Sequence, residues 1–497
     1  MNAGAPLEAL ARAPHAPAQP VLAGAPPPVS DADTMVEKLL DGASTGVALL
    51  PGGLEAFMVR AASARAAGRT LDLQYYRWSD DITGGLMARE VLCAADRGVR
   101  VRMLLDDSYV LGVDRRIALL SAHPRIEVRL FNTARLRWLG QVALAVEFAL
   151  GGWHLNHRMH NKAWVADGRL ALVGGRNIAD AYFDGAGDFN FRDLDLLIAG
   201  EAARQAQAVF DSYWASSLAR PVEQFRLAAG LGATALAAFR AELDAIPDSG
   251  KARPYLRALA ETRRQFLDQE RPLLPAADTV RVLADPPAKA KGRGVPGGLA
   301  PALDALLREA RREAVLISPY FVPGKAGMRV LEDLVRRGVR VTVITNSLAA
   351  TDVVAVHAGY ARYRPRLVEL GIDLYELKRS GAHGSGVFGS RGASLHTKAL
   401  MVDRDLVFVG SFNLDPRSAN LNTEMGAVAR HPGLAEQLGL EQHRLSDPGR
   451  SYRVGRTPKG RLTWTDAGGT TLHEPEAPWT RRLLARLVRW LPIEAQL

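Results

Sequence analysis

The sequence is short of several things, and each shortage excludes something. One cysteine, Cys93, stands among 497 residues, so no internal disulfide can staple the chain. It falls in an apolar helical stretch, Met87 to Ala95, which predicts a buried, inert thiol and is compatible with a reducing compartment. Aromatic residues make up only 7% and are not interleaved with lysine and arginine, as the stacking platforms of a nucleic-acid groove would be. No run of eighteen or more uncharged apolar residues occurs, so no membrane-spanning helix is predicted. The longest candidate, Trp138 to Ala149, is interrupted by Glu147. Acidic residues are also in deficit, 53 against 63 basic ones, and the resulting charge of +10 favours an anionic partner, nucleic acid or acidic lipid. The opening stretch has neither the basic start nor the compact apolar run of a secretory leader, and its alanine and proline content reads as a flexible tail over 1–33.

What remains is an ordinary globular composition, 47% hydrophobic and 23% charged, in a chain long enough for about three domains. The chain repeats itself. In the first half Leu71 to Trp78 (LDLQYYRW) reads as a buried strand, followed by a helical stretch and a second strand, Gly98 to Asp107 (GVRVRMLLDD). In the second half Ala314 to Pro323 (AVLISPYFVP) is followed by a helix and then by Gly338 to Ser347 (GVRVTVITNS). The two GVRV blocks begin at Gly98 and Gly338, 240 positions apart, and two histidine blocks begin at His160 and His396, 236 apart. Near-constant spacing across several landmarks implies two copies of one unit. Strands alternating with helices make that unit α/β with a mostly buried sheet. The predicted organisation is a first α/β domain over 34–200, a strand-free helical segment over 201–275 joining the halves, a second α/β domain over 276–447, and a C-terminal extension over 448–497. Within the second domain, Asp285 to Gly298 (DPPAKAKGRGVPGG) reads as a loop, either a solvated connector or a basic segment touching phosphate.

The chemistry lies in the histidine blocks. His160, Lys162 and Asp167 are followed by Gly174, Gly175 and Asn177; His396, Lys398 and Asp403 are followed by Gly410, Ser411 and Asn413. Both read H-x-K-x4-D-x6-G-[GS]-x-N. If His and Lys lie on a strand, the two-residue spacing points them to one face. Each aspartate falls at the following turn, where a short carboxylate bonds backbone amides. Two facing copies would make a cationic pocket in which lysine and asparagine suit the non-bridging oxygens of a phosphodiester. One imidazole can attack phosphorus while the other protonates the departing oxygen, work that suits a group titrating near neutrality. Side chains supply the positive charge, so no metal or other cofactor is expected. His123, His154, His157, His443 and His473 have no repeated context and read as surface or satisfied residues.

The duplicated motif resembles the phospholipase D superfamily. The segments Asn156 to Phe183 and Leu395 to Gly426 are similar to bacterial cardiolipin synthases of the shorter type that lacks N-terminal spanning helices. That resemblance implies two tandem, pseudo-symmetric α/β domains with the active site at their interface and a covalent phosphohistidine intermediate. His160 would be the nucleophile and His396 the acid and then base, with the reverse assignment open. It assigns Lys162, Lys398, Asp167 and Asp403 to the catalytic set and Asn177 and Asn413 to the phosphoryl oxygens. The family also places an acidic residue downstream of each histidine to orient it. Glu424 lies 28 positions after His396, and Asp193 lies 33 after His160, with Asp195 as an alternative. His357, in Thr351 to Arg364, would line an acceptor side. The implied activity transfers a phosphatidyl group to phosphatidylglycerol, with phosphatidylethanolamine as a donor candidate. The alternatives are hydrolysis of phospholipid or of nucleic acid, and any companion protein stays undefined.

Near the C-terminus, Leu483, Leu484, Leu487, Val488 and Leu491 share one helical face, with Arg482, Arg486 and Arg489 on another and Trp490 at the boundary. That pattern fits either an interfacial anchor or a core-packing helix. The apolar stretch Leu136 to Trp153 reads as a bilayer-dipping segment or one buried between domains. The expected location is peripheral, on the cytoplasmic face of a bacterial inner membrane.

Overall fold

Two runs of buried β-branched and leucine-rich strands give the computed structural model two large mixed sheets. It describes residues 30–496 except 111–113, 135, 137–141, 143–145, 148–152, 226–231, 269–272, 276–278, 293–297, 381–385, 391 and 492–493. The tail expected over 1–33 lies almost wholly outside the described residues, as do most of the apolar segment 136–153 and the end of the basic loop. The order begins earlier than the tail boundary implies. Ser30 caps the helix Asp31–Leu40 and exchanges hydrogen bonds with Asp33, satisfying amides that the first helical turn leaves open.

The first sheet runs Leu274–Pro275, Thr45–Leu50, Asp195–Gly200, Leu170–Gly174, Ala163–Ala166, Thr70–Tyr75, Arg100–Asp106, Ile126–Phe131, Ala219–Pro221. The second runs Arg281–Ala284, Met425–Arg430, Leu406–Gly410, Ala399–Val402, Glu313–Ile317, Arg340–Asn346, Asp373–Leu377, Ser451–Arg456, then the hairpin strands Leu462–Asp466 and Gly469–Thr471. From Thr45–Leu50 onward in the first sheet, and from its start in the second, eight strands follow in the same order. In each, three neighbouring strands are parallel and the rest antiparallel. The repeat read from the sequence is therefore a repeat of topology.

The sheets pack on each other. Val165, Val173, Leu196 and Ile198 from the first share one buried cluster with Ile317, Met401, Val409 and Ala427 from the second. The helices Ala203–Trp214 and Pro432–Ser446 contribute to the same cluster, one from each half. The outer faces are covered separately. Helices Gly53–Ala66 and Ile82–Asp96 lie over the first sheet, and helices Leu299–Arg308, Gly324–Arg336 and Val354–Glu369 over the second. Cys93 lies in the second of these and is half-buried, less deeply than expected; burial still pushes its thiol up.

The connecting segment and the extension differ from expectation. Residues 201–275 are not strand-free, because Ala219–Pro221 and Leu274–Pro275 pair with the two edges of the first sheet. Strands this short carry too little periodicity to show in a sequence. Nor do all its helices join the halves. Leu236, Phe239, Leu243 and Tyr255, on helices Ala233–Ala245 and Arg253–Asp268, pack into the first half's outer core. The extension begins with three strands of the second sheet, and Ser451–Arg456 pairs with Asp373–Leu377. Its last helix, Trp479–Val488, buries no residue fully. Among the described residues no helix is long and apolar enough to cross a membrane.

Because the inter-sheet layer holds the halves together, truncating it should be costly. Leu196 is fully buried there, and Leu196→Ala is expected to lose about 2–5 kcal/mol of stability in urea unfolding. A loss of about 0.5 kcal/mol, the scale of a surface substitution, would show that the sheets do not close over this side chain.

Candidate active site

Each histidine block leads into a short, wholly buried strand in the interior of its own sheet, Ala163–Ala166 or Ala399–Val402. The His and Lys of each motif precede that strand rather than lie on it, in extended chain where the halves meet. Two short parallel pairings cross from one half to the other at this point. In one, Asn190–Arg192 pairs with Ala393–Leu395, and the His396 amide donates to the Arg192 carbonyl at 2.7 Å. In the other, Met159 bridges Thr423, and the His160 amide donates to the Thr423 carbonyl at 2.9 Å. Continuing either register by one residue sets an acid beside a histidine.

The result is a pair of crossed contacts. His160 Nδ1 lies 2.8 Å from Glu424 Oε2, and His396 Nδ1 lies 2.6 Å from Asp193 Oδ2. A ring whose Nδ1 is held by a carboxylate keeps one tautomer and leaves Nε2 for chemistry. Lys162 Nζ donates to the carbonyl of His160 at 2.6 Å, and Lys398 Nζ donates to that of His396. Tyr76 packs edge-on to the His160 ring with centroids 5.0 Å apart, and Tyr182 edge-on to His396 at 5.1 Å. All four basic side chains and both acids are buried.

Burial governs the charges. It lowers the His160 and His396 pKa values, the latter further, with the neighbouring lysines adding to the effect. It brings Lys162 down to about 7 and Lys398 to about 8. The acids divide. Burial raises Asp193, whereas Glu424 resists the same burial because His160 and Lys162 hold it below the usual carboxylate range. Ser418 Oγ also donates to Glu424, at 2.9 Å, as does Ser411 Oγ.

The comparisons bear on the same residues. A family model described as "Cardiolipin synthase, PLD-like domain" matches twice, over 62–214 and 303–445, each match spanning one histidine motif. The chain belongs to the PLD-like cardiolipin synthase family. It is 40% identical over 462 residues to cardiolipin synthase C of Escherichia coli K12, covering 90% of this chain and 95% of that one. It is 26% identical over 394 residues to a cardiolipin synthase of Geobacillus kaustophilus, covering 76% of this chain and 62% of that one. The fold resembles that of phosphatidylserine synthase from Haemophilus influenzae Rd KW20, with a TM-score of 0.59 at 14% identity, over 93% of this chain and 99% of that one.

Within this PLD-like frame, the site differs from the sequence expectation in three ways. The resemblance implies that each acid orients the histidine it follows; the structure exchanges the partners, because the bridges run between halves. Asp195, the alternative to Asp193, instead meets Arg60 at 2.9 Å and Arg176 at 3.2 Å. Asp167 and Asp403 are not at the histidines. Each sits past the far end of its strand in a left-handed turn, φ 54° and 52°, a conformation aspartate tolerates better than most residues. Asp167 accepts the amides of Gly68, Arg69 and Thr70, and Asp403 those of Arg311, Arg312 and Glu313. The motif aspartate thus anchors the start of the adjacent strand, a role its turn position already suggested.

The remaining expected groups are spread around the site. Asn177 is held by the Arg77 amide at 3.2 Å and donates to Tyr182 Oη at 2.9 Å. Asn413 keeps a buried amide oxygen without a partner among the described residues. His357 is buried on the helix Val354–Glu369, with Glu474 3.8 Å away, and makes no contact with the rings of His160 and His396 among the described residues. The basic loop's Lys289 is committed to Asp285 at 2.7 Å and Lys291 to Ser217 at 3.0 Å. Tyr76, Tyr182 and Ser418 escaped the sequence reading, since none belongs to the repeated motif. The Gly-[Gly/Ser] pair is explained by packing: a Cβ on Gly175 would overlap the Asp193 carboxylate, and Ser411 stands in its place to bond Glu424.

Two expectations follow. Gly175→Ala should displace Asp193 from His396 and lower kcat on a phosphodiester substrate by about 100-fold with little change in KM; an unchanged kcat would show that the close approach is dispensable. The second concerns the lysines, whose unfolded pKa is 10.5. Between about 7–8 and that value the unfolded chain holds more protons than the folded one, so stability should rise as pH rises through this window. Lys398→Met should flatten that rise in urea unfolding at a series of pH values, and an unaltered slope would mean the folded ammonium is not depressed.

Proposed function

We propose that this protein is a phosphatidyltransferase that makes cardiolipin from phosphatidylglycerol and a second phospholipid at a membrane surface. The crossed histidine–acid pairs carry the proposal. They offer two Nε2 atoms to one phosphodiester above two buried lysines, in a chain 40% identical to a cardiolipin synthase. His160 Nε2 attacks the donor phosphorus, and the bond from phosphorus to the headgroup oxygen breaks. His396 gives its proton to that oxygen. The ionised Glu424 stabilises the positive charge that develops on the phosphorylated His160 ring. The negative charge of a bound phosphodiester offsets the burial and the lysines that lower the His396 pKa, so the ring is protonated when it serves as acid and neutral when it serves as base. A hydroxyl of phosphatidylglycerol, deprotonated by His396, then attacks the same phosphorus, and the phosphorus–nitrogen bond breaks to free His160. Lys162, Lys398 and the amide of Asn413 hold the phosphoryl oxygens, where charge builds in each transition state.

Membrane attachment is supported by the helix Trp479–Val488 and the residues after it. Its leucines face outward: Leu487 is 60% and Trp490 88% exposed, with Leu483, Leu484 and Leu491 also exposed. Such a face suits insertion into the acyl boundary of a leaflet, and the net charge favours an anionic one, on the cytoplasmic side in this reading. The test supplies purified protein with phosphatidylglycerol vesicles, with and without phosphatidylethanolamine, and separately with single-stranded DNA. Cardiolipin is the expected product. Phosphatidic acid alone would make the protein a hydrolase, and cleavage of DNA with inert lipid would discard the lipid reading. His160→Ala should abolish an acid-labile phosphoenzyme and His396→Ala should let it accumulate; the opposite pattern exchanges the two roles.

A further inference from the structure

Away from the catalytic histidines, the helices Val354–Glu369 and Trp479–Val488 enclose, with residues 472–474, a cleft of about 220 Å³. Arg482, Arg486 and Arg489 line it from the C-terminal helix and the residue after it, and Arg364 and His357 line it from the other helix. One carboxylate, Glu474, lines it too, but it is already engaged by Arg364. Burial opposes its ionisation, yet Arg364 and His357 hold it well below the usual carboxylate range. None of the three C-terminal arginines forms an ion pair among the described residues. At spacings of three and four positions they are neighbours on the helix, and like charges so placed repel.

Buried donors point to a ligand as well. His357 is only 3% exposed and lines the cleft, and its Nε2 lies 3.8 Å from Glu474, too far for a hydrogen bond, with no hydrogen-bond partner among the described residues. The buried Nε atoms of Arg364 and Arg482 also lack a partner among them. Buried polar atoms are ordinarily satisfied, so three of them around one cationic cleft mark a site built for something else to fill. Guanidinium forks match the oxygens of a phosphate. The source of that phosphate is indicated by the rest of this segment: Arg482, Arg486 and Arg489 border the cleft, the last two themselves exposed, and Leu483, Leu484, Leu487 and Trp490 face outward.

We propose that this cleft is a second phosphate site, separate from the catalytic one, which holds the phosphate of an anionic glycerophospholipid while the adjoining leucine face enters the leaflet. The proposal rests on the reading of the protein as a phospholipid enzyme at a membrane surface, but its test does not depend on turnover. The full chain is titrated with inorganic phosphate in a calorimeter, and its flotation is measured with vesicles of phosphatidylcholine alone or mixed with phosphatidylglycerol. Arg482→Gln/Arg486→Gln should remove one class of phosphate site and weaken binding to the mixed vesicles roughly 30-fold. Its turnover of monomeric short-chain phosphatidylglycerol should stay intact. Inorganic phosphate should compete with the mixed vesicles for the wild-type protein. His357→Gln should weaken the same phosphate site without changing the arginines, which separates a built site from general surface charge. An unchanged isotherm in both variants would overturn the site, and an effect of the arginine variant without one of His357→Gln would reduce it to diffuse electrostatics. Loss of phosphate binding with unaltered flotation would reject lipid as the occupant.

Discussion

Two backbone pairings, each only one to three residues long, decide what this molecule can do. At Asn190–Arg192 alongside Ala393–Leu395, and at Met159 alongside Thr423, one half's chain runs beside the other's. Each ends one residue short of a histidine and an acid, so the register of a parallel pair delivers Asp193 to His396 and Glu424 to His160. Neither half owns a complete histidine–acid pair. The inter-sheet layer of Val165, Leu196, Met401 and Val409 holds the halves together, and so supports the registers that bring each carboxylate to an Nδ1.

Crossing the pairs has an electrostatic consequence. Four basic side chains gathered from two halves are buried around one spot with two carboxylates, and burial dominates all four, lowering every one of their pKa values. An anionic phosphodiester relieves the cost that burial imposes on these charges, so the free site is arranged for the charge of its ligand. The acids are not equivalent: Glu424 has hydroxyl donors from Ser411 and Ser418 and stays ionised, while burial raises Asp193. A twofold scaffold thereby yields two histidines of different character, as a reaction with distinct nucleophile and proton-transfer roles requires.

The motif residues divide by what they touch. His and Lys meet at the interface. The aspartate, seven positions after the histidine, turns the chain and accepts three consecutive amides that lead into the neighbouring strand. The glycine or serine that follows lets the acid come close. A pattern of this kind mixes chemistry with the packing that supports it, and spacing alone does not separate the two.

By itself the sequence determined the duplication, the α/β character of each half and the residues that would carry the chemistry, because those follow from local pattern: runs of buried strand residues, their helical partners, and two motifs at matched spacing. It could also place each aspartate at a turn, a matter of a few neighbouring residues. It led to the wrong pairing of acids with histidines, each acid with the histidine it follows, and it did not show that residues 219–221, 274–275 and 451–471 contribute strands to the sheets or which way the last amphipathic helix faces. Those depend on contacts between segments hundreds of positions apart. Only the closed tertiary structure brings Glu424 to His160 across 264 residues of chain, and only it sets Arg482 and Arg486 along a cleft while leaving Leu487 and Trp490 in the open.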